Sequence, residues 1–232
     1  TAIEAAGLNL VNQSYGTRFA APEEATVLEF GMKTRFSNGA FNFTVFDQSI
    51  KGFQSNIFQG TGFVLANAGK QSTFGVEMDG TWTPWSPLTL GFAATFLDPK
   101  YDDFTGAAGP FDTTIDLTGE TPAGIHKTSA SVSATYTHDF SGGTEGYIRG
   151  DYLYESKTKI SDQIPDLYRT VNSVNLSGGL SMDNGFGVQV WARNVFNDRY
   201  LQSVFQGVAQ TGLIYGYPNQ PRTYGISLRK DF

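Results

Sequence analysis

The stretch Leu88-Thr89-Leu90-Gly91-Phe92-Ala93-Ala94-Thr95-Phe96 decides the architecture. In an extended strand successive side chains point to opposite faces. Leu88, Leu90, Phe92, Ala94 and Phe96 therefore share one face, while Thr89, Gly91, Ala93 and Thr95 share the other. An apolar row backed by small and hydroxylated residues is the pattern of a strand that meets lipid on one side and water on the other.

Working outward, the same period recurs in about nine segments, each long enough for the ~9–11 residues a tilted strand needs to cross a bilayer. Charges keep to one side. Leu28, Phe30, Met32 and Phe36 oppose Glu29, Lys33 and Arg35, and Phe74, Val76, Met78 and Trp82 oppose Glu77 and Asp79. Ile148, Tyr152 and Tyr154 oppose Arg149 and Asp151, and Phe186, Val188 and Val190 oppose Gln189 and Arg193. The last segment sets Tyr224, Ile226, Leu228 and Phe232 against Arg229 and Asp231. Lys230 interrupts its apolar row close enough to the end to snorkel to the interface. The nine charges Glu29, Lys33, Arg35, Glu77, Asp79, Arg149, Asp151, Arg193 and Arg229 are thus expected to line a lumen. Their mixed signs suit ion-pair ladders against a filling domain better than an ion-selective pore.

Connections alternate in length. Short turns are expected at residues 37–39, 84–87, 139–145 and 182–185, all rich in turn-forming residues. Long aromatic loops are expected near residues 53–66, 102–125, 156–167 and 195–221. Short turns on one side and long loops on the other is the asymmetry of outer-membrane barrels, with the turns in the periplasm. Residues 1–24 are expected to be an extracellular loop segment and residues 25–232 the strands. A soluble β-sandwich also alternates, but seldom combines strands this long with such unequal loops.

Composition agrees. Glycine (27), phenylalanine (19) and tyrosine (11) are abundant, and charged residues are only 16%, against ~25% in soluble domains. The longest apolar stretches are too short for a helical span of ~18 residues or more, which leaves a closed barrel as the way to satisfy the backbone in lipid. The net charge of −6, without a Lys/Arg-rich block, excludes nucleic acid as the partner.

Four segments in order resemble the C-terminal half of the TonB-dependent outer-membrane receptors. They are Pro22-Glu23 leading into Leu28-Glu29-Phe30-Gly31-Met32-Lys33-Thr34; Asn67-Ala68-Gly69-Lys70 with Gly75-Val76-Glu77; Asn194-Val195-Phe196-Asn197-Asp198-Arg199-Tyr200; and Pro221-Arg222-Thr223-Tyr224-Gly225-Ile226-Ser227-Leu228 running to Phe232. The resemblance implies a Gram-negative outer membrane, a barrel of 22 strands around a plug, and uptake of a scarce nutrient such as siderophore-bound iron, cobalamin or a carbohydrate. It also implies outer-membrane lipid, the barrel-assembly machinery and the energy-coupling protein TonB as partners, with Phe232 as an assembly signal. About nine strands are too few, and neither the plug nor the box that engages TonB is present, so the chain is expected to be the C-terminal part of a barrel. The local expectation for Asn67-Ala68-Gly69 and Asn194 through Tyr200 is barrel architecture rather than ligand contact.

Catalytic and metal chemistry leave little trace. His126 and His138 lie twelve residues apart, about 40 Å along one strand, so they cannot share an ion. There is no cysteine, no G-x-S-x-G nucleophile motif, and no cofactor or enzymatic activity is expected. Asp102, Asp103, Asp112, Asp116 and Glu120 are a calcium candidate that reads more simply as a solvated acidic loop. The Asn-x-Ser/Thr triplets at Asn12, Asn42 and Asn175 carry no meaning in a bacterial barrel. The long loops offer Phe58, Phe63, Phe104, Phe111, Phe205, Tyr215 and Tyr217 as ligand-facing platforms. The alternative is a self-contained small barrel with a structural or adhesive role.

Overall fold

Period-two alternation fixes which side chains share a face; the paired backbone then fixes how those faces join. The computed structural model describes residues 2–3, 20–59, 62–67, 69–207, 210 and 212–231. In chain order the strands are β1 (Ala2–Ile3), β2 (Glu24–Phe36), β3 (Gly39–Lys51), β4 (Gln54–Gln59), β5 (Gly62–Asn67), β6 (Lys70–Trp85), β7 (Leu88–Asp103), β8 (Ala107–Ala108), β9 (Thr114–Ile115), β10 (Thr128–Phe140), β11 (Thr144–Lys159), β12 (Tyr168–Met182), β13 (Phe186–Arg193), β14 (Leu201–Gln206), β15 (Ile214–Pro218) and β16 (Thr223–Lys230). One antiparallel ten-stranded sheet runs β1-β2-β3-β6-β7-β10-β11-β12-β13-β16. All but β1, which has two residues, have eight or more, so nine long strands carry the wall.

Through the middle of the strands the registers carry each face across the sheet; bulges shift them towards the strand ends, between Lys70 and Gln71 and between Trp82 and Trp85 in β6, and between Glu155 and Thr158 in β11. One transverse row is Phe36, Gly39, Trp82, Leu90, Ala134, Gly150, Leu176, Ala192 and Tyr224. Adjacent to it on the other face run Arg35, Ala40, Thr81, Gly91, Ser133, Asp151 and Asn175. A slip of one residue in any pairing would have moved that strand's charges to the opposite face.

The apolar face is exposed rather than packed. Leu28 (77%), Phe30 (72%), Ile148 (69%) and Ile226 (70%) all lie on it. From Leu28 to Phe36 the apolar-face positions of β2 carry no charge, and nine residues at ~3.3 Å each run about 30 Å along the strand, close to what a tilted strand needs to cross a bilayer. Asp47 and Asp98 bound the band at one end, and Lys230 at the other. At 16 residues, β6, β7 and β11 exceed what a bilayer needs and project beyond the band.

Glycines paired with rings tie neighbouring strands. A Cβ on Gly225 would lie 2.6 Å from the indole of Trp191 opposite, and one on Gly75 would lie 2.2 Å from the ring of Phe46. Covering a strand glycine with a cross-strand ring restores the packing that the glycine forgoes.

All the short turns expected from the sequence form at one end of the sheet. The long connections at the other end differ from the expected loops, because three of them carry paired strands: β4 with β5, β8 with β9, and β14 with β15. Their alternating residues, such as Leu201, Ser203 and Phe205, satisfy the backbone by local pairing. Ala2–Ile3 likewise pairs with Ala25 and Glu24, within the segment expected to be loop. Strand β10 begins at Thr128, so His126 precedes it rather than lying in it. The apolar core cluster among the described residues sits between these connections and the projecting end of β7: Tyr101, Phe104, Ala107 and Leu117, with Phe53 and Ile115 against them. Phe232 lies outside the described residues.

Arginine at Phe92, midway up the apolar face, is expected to lower folding stability in lipid vesicles by ~2–4 kcal/mol. Arginine at the adjacent Ala93, on the polar face, should cost far less. Reversible urea unfolding in vesicles checks both, and equal losses would contradict the assignment of faces.

Candidate functional site

The polar face and the rim of long connections above it hold nearly all of the chain's committed side-chain chemistry. By strand register Glu29, Lys33, Arg35, Glu77, Asp79, Arg149, Asp151, Arg193 and Arg229 lie on one face of the sheet. They differ in how they are neutralised. Arg149 reaches Asp151 two residues along its own strand, Nη2 to Oδ1 at 2.5 Å and Nε to Oδ2 at 3.0 Å, and donates Nη1 to Thr135 Oγ1 at 3.1 Å. Arg229 does the same with Asp231 at 2.9 Å. Asp79 accepts from Asn42 across β3 and β6 at 2.9 Å. Arg193 rests on the Trp191 ring at 5.2 Å. Glu29, Lys33, Arg35 and Glu77 have no ion-pair partner among the described residues, leaving β2 and β6 with open charges of both signs.

Two hydrogen-bonded clasps hold the rim. The first joins the segment before β2 to the base of the β4–β5 hairpin. Asn67 accepts from Ala21 N–H at 2.7 Å and donates Nδ2 to Ala21 O and Gly52 O, while Glu23 accepts from Gln54 N–H. The second is larger. Asn194, 8% exposed and left-handed at φ +50°, donates Nδ2 to Asp198 O and Gln220 O and accepts from Asp198 N–H at 2.8 Å. Its own N–H donates to Asn175 Oδ1, and Asp198 Oδ2 takes the N–H of Asn172. Asn219 binds both Tyr200 N–H and Asp198 O, and Asn197 accepts from Arg222 N–H. The amide side chains supply the partners that an irregular segment cannot find in a ladder. The two Asn motifs legible in the sequence are thus clasps that fasten connections to strands.

The loop aromatics separate into two groups. Phe104, expected to face a ligand, is instead a packing residue: it is 7% exposed and meets Tyr101 edge-on at 4.9 Å. Phe205, Tyr215 and Tyr217 form an exposed cluster on the β14–β15 hairpin, with Phe205 5.8 Å from Tyr215 and 5.6 Å from Tyr217. Phe111 is exposed and left-handed at φ +52°, its N–H held by Gln206 Oε1 at 2.8 Å. The side chains of Phe58, Phe63 and Asp112 fall outside the described residues.

Sequence reasoning missed Gln206, which clasps a loop 95 residues away, and Asp162, which accepts from Tyr101 Oη at 2.9 Å and from Ala123 N–H. It also missed the cluster of His126 and Arg169 around Glu155, at 3.5 Å and 3.9 Å. Nothing in the local pattern marks them, because every partner is distant in sequence. The acidic loop does not gather: Asp102 pairs with Lys70, Glu120 with Lys159, and Asp116 with Thr118, whose hydroxyl and N–H hold its carboxyl below the usual range. Among the described residues no three His, Asp or Glu side chains stand close enough to hold a metal ion.

Residues 4–195 match the TonB dependent receptor-like β-barrel family. Among solved structures the chain is similar to the ferric yersiniabactin uptake receptor FyuA from Yersinia pestis, with 18% identity and a TM-score of 0.78 over 99% of this chain and 33% of that one. It is also similar to BauA, the ferric preacinetobactin receptor from Acinetobacter baumannii, with 20% identity and a TM-score of 0.69 over 98% and 33%. A third is the FrpB iron transporter from Neisseria meningitidis, with 18% identity and a TM-score of 0.63 over 94% and 32%. The chain spans about a third of the length of these structures. No curated protein matches it in sequence.

Replacing Asn194 by alanine removes three side-chain hydrogen bonds at a buried left-handed position and should cost about 2–4 kcal/mol locally. Limited proteolysis should then cut between β13 and β16 while the sheet survives. Asn194→Gly, which keeps the backbone conformation, should be cut less readily than the alanine variant.

Proposed function

The chain belongs to the TonB dependent receptor-like β-barrel family, and from that premise we propose that it forms part of the barrel wall of a receptor importing a scarce nutrient. The family's members reside in the outer membrane of Gram-negative bacteria. The observation that carries the proposal is the two-faced sheet: an exposed, uncharged band nine residues long on β2 on one side and all nine sequence-identified strand charges on the other.

In this reading the apolar face meets outer-membrane lipid and the polar face lines the lumen. The open charges Glu29, Lys33, Arg35 and Glu77 meet a filling plug domain, where mixed signs give register without favouring passage of one ion sign. The already neutralised pair Arg149–Asp151 asks for no such partner. The clasped rim is extracellular, and Phe111, Phe205, Tyr215 and Tyr217 present rings to a small-molecule nutrient. Energy for release comes through TonB at the inner membrane. The nutrient is drawn from the siderophore-iron, cobalamin or carbohydrate classes; the ferric-siderophore receptors among the similar structures favour the first, the scarcity of basic residues in the long connections the last.

Two neighbouring residues test the orientation. In the full-length receptor reconstituted with brominated lipids, Leu176→Trp is expected to show strongly quenched added fluorescence and Ser177→Trp little. The reverse pattern would place the lumen on the other face. Energised uptake of a panel of ferric chelates, cobalamin and oligosaccharides should be found for one class and disappear on collapse of the proton gradient.

A further inference from the structure

Where β12, β13 and the Asn194–Asp198 clasp meet, the polar face holds a recess of 330 Å³. Its volume is near the lower end for small-molecule sites, enough for one ring or one small molecule. Ser173, Arg193, Asp198, Tyr200, Gln202 and Gln220 line it, with the clasp asparagines behind.

What these groups have left to offer defines the ligand. The side chains of Asn194 and Asn219 are spent on the clasp. Among the described residues, the Ser173 hydroxyl, the Gln202 and Gln220 amides and the Tyr200 hydroxyl make no hydrogen bond. Arg193 is held by its flat face on Trp191, so the edges that carry its N–H donors remain free. Asp198 commits Oδ2 to Asn172 and keeps Oδ1. Burial, with Glu155 and Asp198 nearby, keeps the Tyr200 phenol above its ordinary pKa and hence a donor.

Charge disfavours ligands of net charge of either sign. Asp198 opposes an anion approaching Arg193, and Arg193 opposes a cation approaching Asp198, so the pair cancels over distances longer than the recess. Hydroxyl and amide groups that both donate and accept, one forked donor, one free carboxylate oxygen and a phenol ring suit vicinal hydroxyls on a ring. A flat apolar chelate would leave this lining unpaired, at a cost for each buried polar group.

We infer that this recess is a subsite for an uncharged, hydroxyl-rich ring of the sugar class, with Arg193 and Asp198 bracketing adjacent hydroxyls and Ser173, Gln202 and Gln220 completing the contacts. The inference rests on the polar face being the lumen and narrows the nutrient to hydroxylated compounds.

Trp191, stacked under Arg193, is a built-in reporter. The full-length receptor in detergent is titrated with glucose, sucrose and citrate, and the signal from Trp191 is isolated by subtracting a Trp191→Phe variant. A saturable change with glucose or sucrose is expected, and none with citrate. Arg193→Met and, independently, Ser173→Ala should weaken the sugar response; a lost hydrogen bond to a charged group corresponds to about tenfold. A response to citrate alone, no response to either sugar, or a sugar response untouched by both substitutions each overturns the inference. The quenching pattern of Leu176→Trp and Ser177→Trp is independent of sugar binding, so failure of the subsite and failure of the lumen assignment are told apart.

Discussion

Everything in this fold follows from the need to pair each backbone N–H and C=O where no water can take its place. Strands meet that need only with neighbours, so the long antiparallel registers from β2 to β16 come before any side-chain effect. Once the registers are set, period-two alternation gives each strand one apolar and one polar side. The ladders then merge these into two continuous faces. Stability does not come from a packed interior: large apolar side chains, Leu28, Phe30 and Ile148 among them, lie exposed on the surface. Ring-over-glycine pairs such as Trp191 on Gly225 and Phe46 on Gly75 supply the lateral packing that a soluble protein would take from its core.

At the rim the constraint changes, because the chain leaves its ladders and water is available. Irregular backbone there is satisfied by amide and carboxylate side chains, and these have been concentrated in two clasps. Asn194, Asp198 and Asn219 alone join β12, β13, the β14–β15 hairpin and the approach to β16. The result is a firm base under each connection, on which tips such as the Phe205, Tyr215 and Tyr217 cluster can differ without disturbing the wall. A small apolar core around Tyr101 and Phe104 ties further connections together above the membrane band, and Asp162 anchors it through the Tyr101 hydroxyl.

The polar face shows two ways of placing charge. Arg149 and Arg229 are neutralised two residues along their own strands, so their charge is local and needs nothing from outside. Glu29, Lys33, Arg35 and Glu77 remain open, concentrated on β2 and β6. A wall with one self-sufficient side and one side of open charges is asymmetric in what it can bind. The Arg193–Asp198 recess stands apart from both, next to a rigid clasp and neutral as a whole.

The sequence by itself determined the strand period, the shared face of nine strand charges, the short turns and the membership of the family, whereas Asp47 and Asp98, at the edge of the apolar face, are placed only by the registers. These depend on alternation and on turn chemistry, which act over two to four residues and are written locally. Leu88 through Phe96 is enough to show the apolar row, and the Asn194-Val195-Phe196-Asn197 motif enough to mark a rim. Only the tertiary structure decided that the long connections hold hairpins, that Phe104 packs inward while Phe205 stays exposed, and that Gln206, Asp162 and Glu155 are joints. Each of those outcomes turns on a partner far along the chain, 95 residues in the case of Gln206 and Phe111. Alternation carries no information about which distant loop will supply the matching hydrogen bond; that is set by the order in which the sheet brings its strand ends together.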